Sequence, residues 1–154
     1  MARALYIVFP SAQCSELWRE IRRTNLWHLH THWPHEHSYS HLEIGAIGED
    51  LACQALKQDG YKVLYRNYQP THGGEIDIIC RHAEALVFVE VKTRVAPTRW
   101  APADAVDNKK LSRIKAGAQD YLSLLPSPPP HRVDVVEVSL YAGAPPEIHI
   151  IADF

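Results

Sequence analysis

Gly74-Glu75-Ile76-Asp77-Ile78-Ile79 and, after a short polar break, Leu86-Val87-Phe88-Val89-Glu90-Val91-Lys92-Thr93-Arg94 are the two segments on which the fold turns. Both are apolar runs rich in β-branched residues, and a tight turn around His82 to Glu84 makes them the arms of a hairpin. Side chains alternate along a strand, so Glu90 and Lys92 share a face with Phe88, while Val87, Val89 and Val91 point the other way. A charged pair therefore interrupts a strand that otherwise reads as buried. Hairpin pairing lays Asp77 beside Glu90 and gathers two carboxylates and one ammonium on one patch of sheet. Such a group can hold a divalent metal and act on a phosphodiester. The plainer reading is an exposed hairpin face, with Glu90 and Lys92 as a surface ion pair worth at most ~1 kcal/mol.

Outward from the hairpin, the periodicity switches between the helical and the extended pattern. A helix is predicted from Leu42 to Asp59, with Leu42, Ile44 or Ala46, Leu51, Ala52, Ala55 and Leu56 as its apolar stripe and Gly60 closing it. A strand from Tyr61 to Tyr68 follows, then a loop, Gln69 to Gly74, whose two glycines permit positive φ or close backbone approach. Beyond the hairpin, Pro97 and Pro102 punctuate a linker carrying Arg99 and Trp100. A second helix is predicted from Ala103 to Leu125, with Val106, Leu111, Ile114, Ala118 and Leu122 at helical spacing, stopping before Pro126. Pro128-Pro129-Pro130 leads into a strand from Arg132 to Tyr141, and a last strand, Glu147 to Ala152, is placed at the sheet's edge. The order is α-β-β-β-α-β-β, an α/β fold with a mixed sheet flanked by helices.

The chain divides at about residue 41. Residues 42–154 carry the complete apolar pattern of one domain. Residues 1–41 hold the biased tract His28-Leu29-His30-Thr31-His32-Trp33-Pro34-His35-Glu36-His37 and read as a disordered or loosely packed extension, whose histidines could capture metal adventitiously. The formal net charge is −2, and from Leu42 onward twelve Lys and Arg face fifteen Asp and Glu. A broadly basic nucleic-acid footprint is therefore absent, and any such surface must be local, built from Arg66, Arg81, Lys92, Arg94 and Arg99. Cys14, Cys53 and Cys80 form no CxxC pair or disulfide framework, which points to a reducing, cytoplasmic setting. No membrane span is predicted, and the apolar run Ala4 to Phe9 is shorter than a signal-peptide core.

Asp77 followed by Glu90-Val91-Lys92 resembles the acidic-and-lysine signature of the PD-(D/E)xK nucleases, the restriction-endonuclease-like superfamily. More specifically, Gly45 to Phe154 resembles the bacterial YraN family of predicted endonucleases, similar in its first half to archaeal Holliday-junction resolvases. The matching pieces are Gly48-Glu49 with Ala52, Gly60-Tyr61, Leu64 to Tyr68, Gly74 to Asp77, Phe88 to Arg94, Ala105-Val106 with Lys110, Tyr121-Leu122, Arg132 to Val136 and Ile148 to Ile150. This resemblance implies a restriction-endonuclease-like sheet and a Mg2+- or Mn2+-dependent endonuclease. Asp77 and Glu90 would be metal ligands, Lys92 would act on the attacking water, and Glu49, the additional carboxylate of the resolvase-like pattern, would hold a second metal or a metal-bound water. DNA, including branched or recombination intermediates, would be the partner, and a homodimer the working unit.

Arg94, Arg66 and Lys110 are candidate nucleic-acid contacts, and Glu75, of the same strand parity as Asp77, takes a secondary place. One departure stands out: Gln119 and Tyr121 are two apart, so the Gln-x-x-x-Tyr helix motif carried by many related nucleases is missing. Two other classes stay open, a nuclease-fold protein that binds nucleic acid without cutting it and an interaction protein.

Overall fold

Ser40 starts the first helix. Its hydroxyl accepts the N–H of Glu43 at 3.3 Å while the Glu43 carboxylate accepts the Ser40 N–H at 2.8 Å, a reciprocal capping box. The computed structural model describes residues 3–7, 39–96, 108–141 and 144–153. In chain order its elements are β1 (Arg3–Ile7), α1 (His41–Gln58), β2 (Lys62–Tyr68), β3 (Ile76–His82), β4 (Ala85–Ala96), α2 (Asn108–Ser123), β5 (His131–Tyr141) and β6 (Ala144–Ala152). From α1 onward this is the predicted α-β-β-β-α-β-β order. The strands form one mixed sheet, β1-β6-β5-β4-β3-β2, in which β4 and β5 run parallel and every other pair is antiparallel. The described residues contain no helix long and apolar enough to cross a membrane.

Alternation along the central strands splits the core in two. Ile78, Cys80, Val87, Val89, Val136 and Val138 meet Ile47, Leu51, Ala52, Ala55 and Leu56 of α1. On the opposite face, Ile76, Ile79, Leu86, Phe88 and Val133 meet Ile114, Ala118 and Leu122 of α2. The predicted stripe of α1 needs correcting at its start, because Leu42 is 86% exposed and Ala46 is exposed as well. These two are four residues apart and lie on a line of the helix that misses the sheet, whereas Ile47 shares the line of Leu51 and Ala55. Cys53 and Cys80 are buried free thiols, as their surroundings in the sequence suggest.

A second correction concerns the sheet's edge. The last strand is not outermost, since β1 pairs with it in the register Leu5↔Ile150 and satisfies backbone groups that an edge would leave open. Five residues of the extension are thus strand. The His-rich tract, Cys14, the linker with Arg99 and Trp100, and the predicted start of α2 at Ala103 all lie outside the described residues.

At the end of the sheet where β4 and β5 begin, Asp134 is fully buried and fully engaged. It accepts from the Tyr61 hydroxyl at 3.0 Å, from Arg132 Nε and Nη2 at 2.8 and 3.0 Å, and from the Asp153 N–H at 3.0 Å. Tyr61 stacks on His82 with ring centroids 4.0 Å apart, so β3, β5, the entry to β2 and the end of β6 are tied together there. The other end of β4 is free to be something else.

Close approach of α1 to β4 rests on one glycine. A Cβ at Gly48 would sit 1.6 Å from Thr93 Oγ1, so no larger residue fits unless α1 or Thr93 shifts. Gly48→Val should therefore cost about 1–3 kcal/mol of stability in urea denaturation. Thr93→Ala in the same chain should restore part of the loss; equal stability of Gly48→Val and the parent would show that α1 does not pack this tightly.

Candidate active site

The site forms where β3 leaves β4. Their ladder runs from His82↔Ala85 to Ile78↔Val89 and stops, whereas β4 stays paired with β5 as far as Ala96↔Tyr141. Val91 N–H therefore has no β3 backbone partner and donates instead to Asp77 Oδ2 at 2.7 Å. That bond fixes a carboxylate at the mouth of the opening. Gly73 and Gly74 deliver it there: Gly73 has φ +98° and a Cβ on it would meet Gly117 N at 2.4 Å, and Gly74 N–H donates to Arg113 O at 3.0 Å. The loop before Asp77 is thus laid against the backbone of α2.

Glu90 is 1% exposed, on the face of β4 that carries Phe88. Its Oε1 forms an ion pair with Lys110 Nζ from the first turn of α2. Asp77 is the other side chain against the Glu90 carboxylate. Burial, then the neighbouring Asp77 charge, pushes its carboxyl up to about 7, against the opposing effect of Lys110. Asp77 is also raised, by burial first, with the Val91 N–H and Lys110 working the other way. For Lys110, desolvation favours the neutral amine, but its bond to Glu90 and the charges of Glu90 and Asp77 outweigh that and raise it, so it stays an ammonium.

A cleft of about 440 Å³ opens over these groups, lined by Glu49, Asp77, Lys92, Arg94, Lys110 and Glu137, with His41, Ile44 and Gly45 of α1 as one wall. Glu49 is raised by its own burial and by Asp77, while Arg66 opposes the shift. A second hollow, of about 470 Å³, adjoins through Asp77 and Lys110 and includes Glu75, Lys109 and Arg113. The structure thus brings Asp77, Glu90, Lys92 and Glu49 into one neighbourhood, with Glu75 on its far side. Arg94 lines the cleft and donates from Nε to Ser139 Oγ at 2.9 Å. Arg66 lines neither hollow; it pairs with Asp50 at 2.7 Å and Glu49 at 3.7 Å, with its charge turned toward α1.

Two features escape a reading of the sequence. Glu137 faces Lys92 across the parallel β4–β5 pair and adds a carboxylate to the cleft. The second is the partner of Lys110, which is a candidate for nucleic-acid contact in the sequence and pairs here with the buried Glu90. Nothing local marks Glu137, although an acidic residue at an otherwise apolar strand position is a signal of the same kind as Glu90. Among the described residues, no three His, Cys, Asp or Glu side chains stand close enough to hold a metal ion unaided.

A mixed sheet that opens at its centre onto paired carboxylates and lysines defines a class of α/β protein with a polar active-site-like cleft. Residues 48–138 match the uncharacterised protein family UPF0102, and the chain belongs to that family. A UPF0102 protein of Syntrophomonas wolfei is 40% identical over 113 residues, covering 73% of this chain and 97% of the relative. One from Parafrankia is 43% identical over 96 residues, 62% of this chain and 80% of the relative. Another, from Alkaliphilus oremlandii, is 49% identical over 80 residues, 52% of this chain and 68% of the relative. The match spans α1 to β5 and so includes every carboxylate and lysine of the cleft.

Because Glu90 is raised from 4.5 in the fold, the stability it contributes is complete below its ordinary value and is lost as pH rises through about 7. Glu90→Gln should therefore match the parent in melting temperature near pH 5 and exceed it at pH 8, with chelator present throughout. A raised value of this size sets an upper limit of about 3 kcal/mol on the gain. A mutant less stable than the parent at both pH values would mean that the Glu90–Lys110 pair is a net stabiliser.

Proposed function

We propose that this protein is a metal-dependent endonuclease of the restriction-endonuclease-like kind, hydrolysing phosphodiester bonds of DNA. The observation that carries the reading is the convergence of Asp77 with the buried Glu90 where β3 parts from β4, with Lys92 two residues further on the same face. Setting a buried and a half-buried carboxylate side by side opposes folding, and an arrangement of that kind at a cleft suits a site for a cation and a charged substrate. Hard oxygen donors suit Mg2+ or Mn2+, which keep several waters and take few protein ligands. The buried Glu90 carboxylate, whose Oε1 meets Lys110 and whose Oε2 makes no ion pair among the described residues, fits such an ion, with Asp77 as the second ligand and Glu49 available to a bound water. When bound, the ion would neutralise phosphate charge and acidify a water.

The chain's own residues do the rest. Asp77 is held still by the Val91 N–H, so the ligand set is preorganised on a rigid strand. Lys92 orients the attacking water and offsets the charge that grows on the non-bridging oxygens, as the water oxygen bonds to phosphorus and the bond to the leaving sugar oxygen breaks. Arg94 and Lys110, on the cleft wall, contact the flanking phosphates. Two copies working as a pair on branched DNA is the form that the resemblance to resolvases implies.

Incubation with labelled junction, flap, linear and single-stranded DNA should give cleavage that requires Mg2+ or Mn2+. Lys92→Ala should lower the rate on the order of a hundredfold while changing DNA affinity little. Arg94→Ala should do the reverse, weakening binding and flattening its salt dependence by about one contact. Binding without cleavage of any substrate, beside a matched active control, would replace this reading with that of a nuclease-fold binding protein.

A further inference from the structure

Lys110 is the one cation that the described structure places on the Glu90 carboxylate, and it comes from another element. Glu90 is 1% exposed, whereas the Lys110 side chain is 53% exposed: the ammonium reaches inward on a flexible stem whose root is in solvent. The charges that act on it most strongly are acidic, those of Glu90, Asp77 and Glu75. It also lines both hollows, with Lys92 and Arg94 in the first and with Glu75 and Arg113 in the second. A Lys110 that leaves Glu90 therefore remains within the site, on the wall along which a phosphate would lie.

We propose that Lys110 and a divalent cation compete for the Glu90 carboxylate, so that the first turn of α2 carries an internal counter-ion which metal binding releases toward the substrate phosphate. This rests on the metal-dependent reading of the same site. Two cations cannot share a carboxylate this deeply buried without strong repulsion. The mobile partner is the lysine, because its stem alone must turn, whereas Glu90 is confined by the sheet and Asp77 by the Val91 N–H. One residue then serves twice. It compensates the buried charge before the metal arrives, and it strengthens the positive lining of the cleft afterwards, where a developing phosphate charge can use it. A plain phosphate contact would affect DNA binding alone; a competing counter-ion makes metal and DNA affinity respond in opposite directions.

Calorimetric titration with Mn2+ alone tests this in the full chain. Lys110→Met should tighten Mn2+ binding by about fivefold or more, the lower end of ordinary coupling between two sites, and should weaken binding of a DNA duplex. Arg113→Met removes a positive charge one turn further along α2, in the second hollow, and should change Mn2+ affinity by much less, which separates displacement from a general field effect. In the unmutated protein, acetic anhydride labelling read by mass spectrometry should modify Lys110 faster with saturating Mn2+, with Lys115 unchanged, a measurement independent of how the variant folds. Mn2+ that binds the parent with no tighter binding to Lys110→Met, or with unchanged or slower labelling of Lys110, overturns the proposal and leaves the metal-dependent reading standing. Absence of Mn2+ binding by the parent overturns both.

Discussion

Strand β4 is paired along one side as far as Ala96 and along the other only as far as Val89, and the organisation of the cleft follows from that mismatch. A strand edge inside a sheet leaves N–H groups that must find partners. Here one of them finds the Asp77 carboxylate at 2.7 Å, so the opening that breaks the ladder also positions an acidic group. The helices respond to the same opening. Gly48 lets α1 lie against Thr93 and brings Glu49 to one wall, while Gly73 lets the β2–β3 loop lie against Gly117 and brings α2, with Lys110, to the other.

Polar burial is distributed unequally over the two faces of this sheet, although Asp134 and Glu90 stand at successive positions of the β4–β5 ladder. Asp134 is as buried as Glu90, yet it accepts four hydrogen bonds, from the Tyr61 hydroxyl, two Arg132 nitrogens and the Asp153 N–H. Such a network is self-sufficient and ties elements together. Glu90 has only a lysine from the far helix and a second carboxylate, Asp77, against it among the described residues. Buried groups left short of partners oppose folding, and they persist where a ligand or a reaction makes use of them.

Membership of the UPF0102 family covers the cleft residues, and the resemblance to YraN proteins read from the sequence agrees with it at the family level. The route from family to chemistry runs through the site alone, since one fold serves many reactions. Asp77 and Lys92 line one cleft, and Glu90 lies against Asp77 on the face of Phe88. Arg66, a candidate for nucleic-acid contact on charge alone, is instead engaged with Asp50 and Glu49, because a residue's type does not tell which neighbour claims it.

What the sequence by itself determined is everything that repeats over a few residues. The two-residue alternation of β4 set Glu90 and Lys92 on the face of Phe88, and the helical spacing of α2 named Ile114, Ala118 and Leu122. Local periodicity left the phase of α1 open by one position, hence the misplaced Leu42 and Ala46, and it put β6 at an edge that β1 in fact covers. Only the tertiary structure decided where β3 would part from β4, which carboxylate Lys110 would neutralise, and that Glu137 would stand opposite Lys92. Each of these depends on the register and approach of elements far apart in the chain. Such registers are settled by the summed packing of both core faces and by close contacts such as Gly48 on Thr93, which no short stretch of sequence contains.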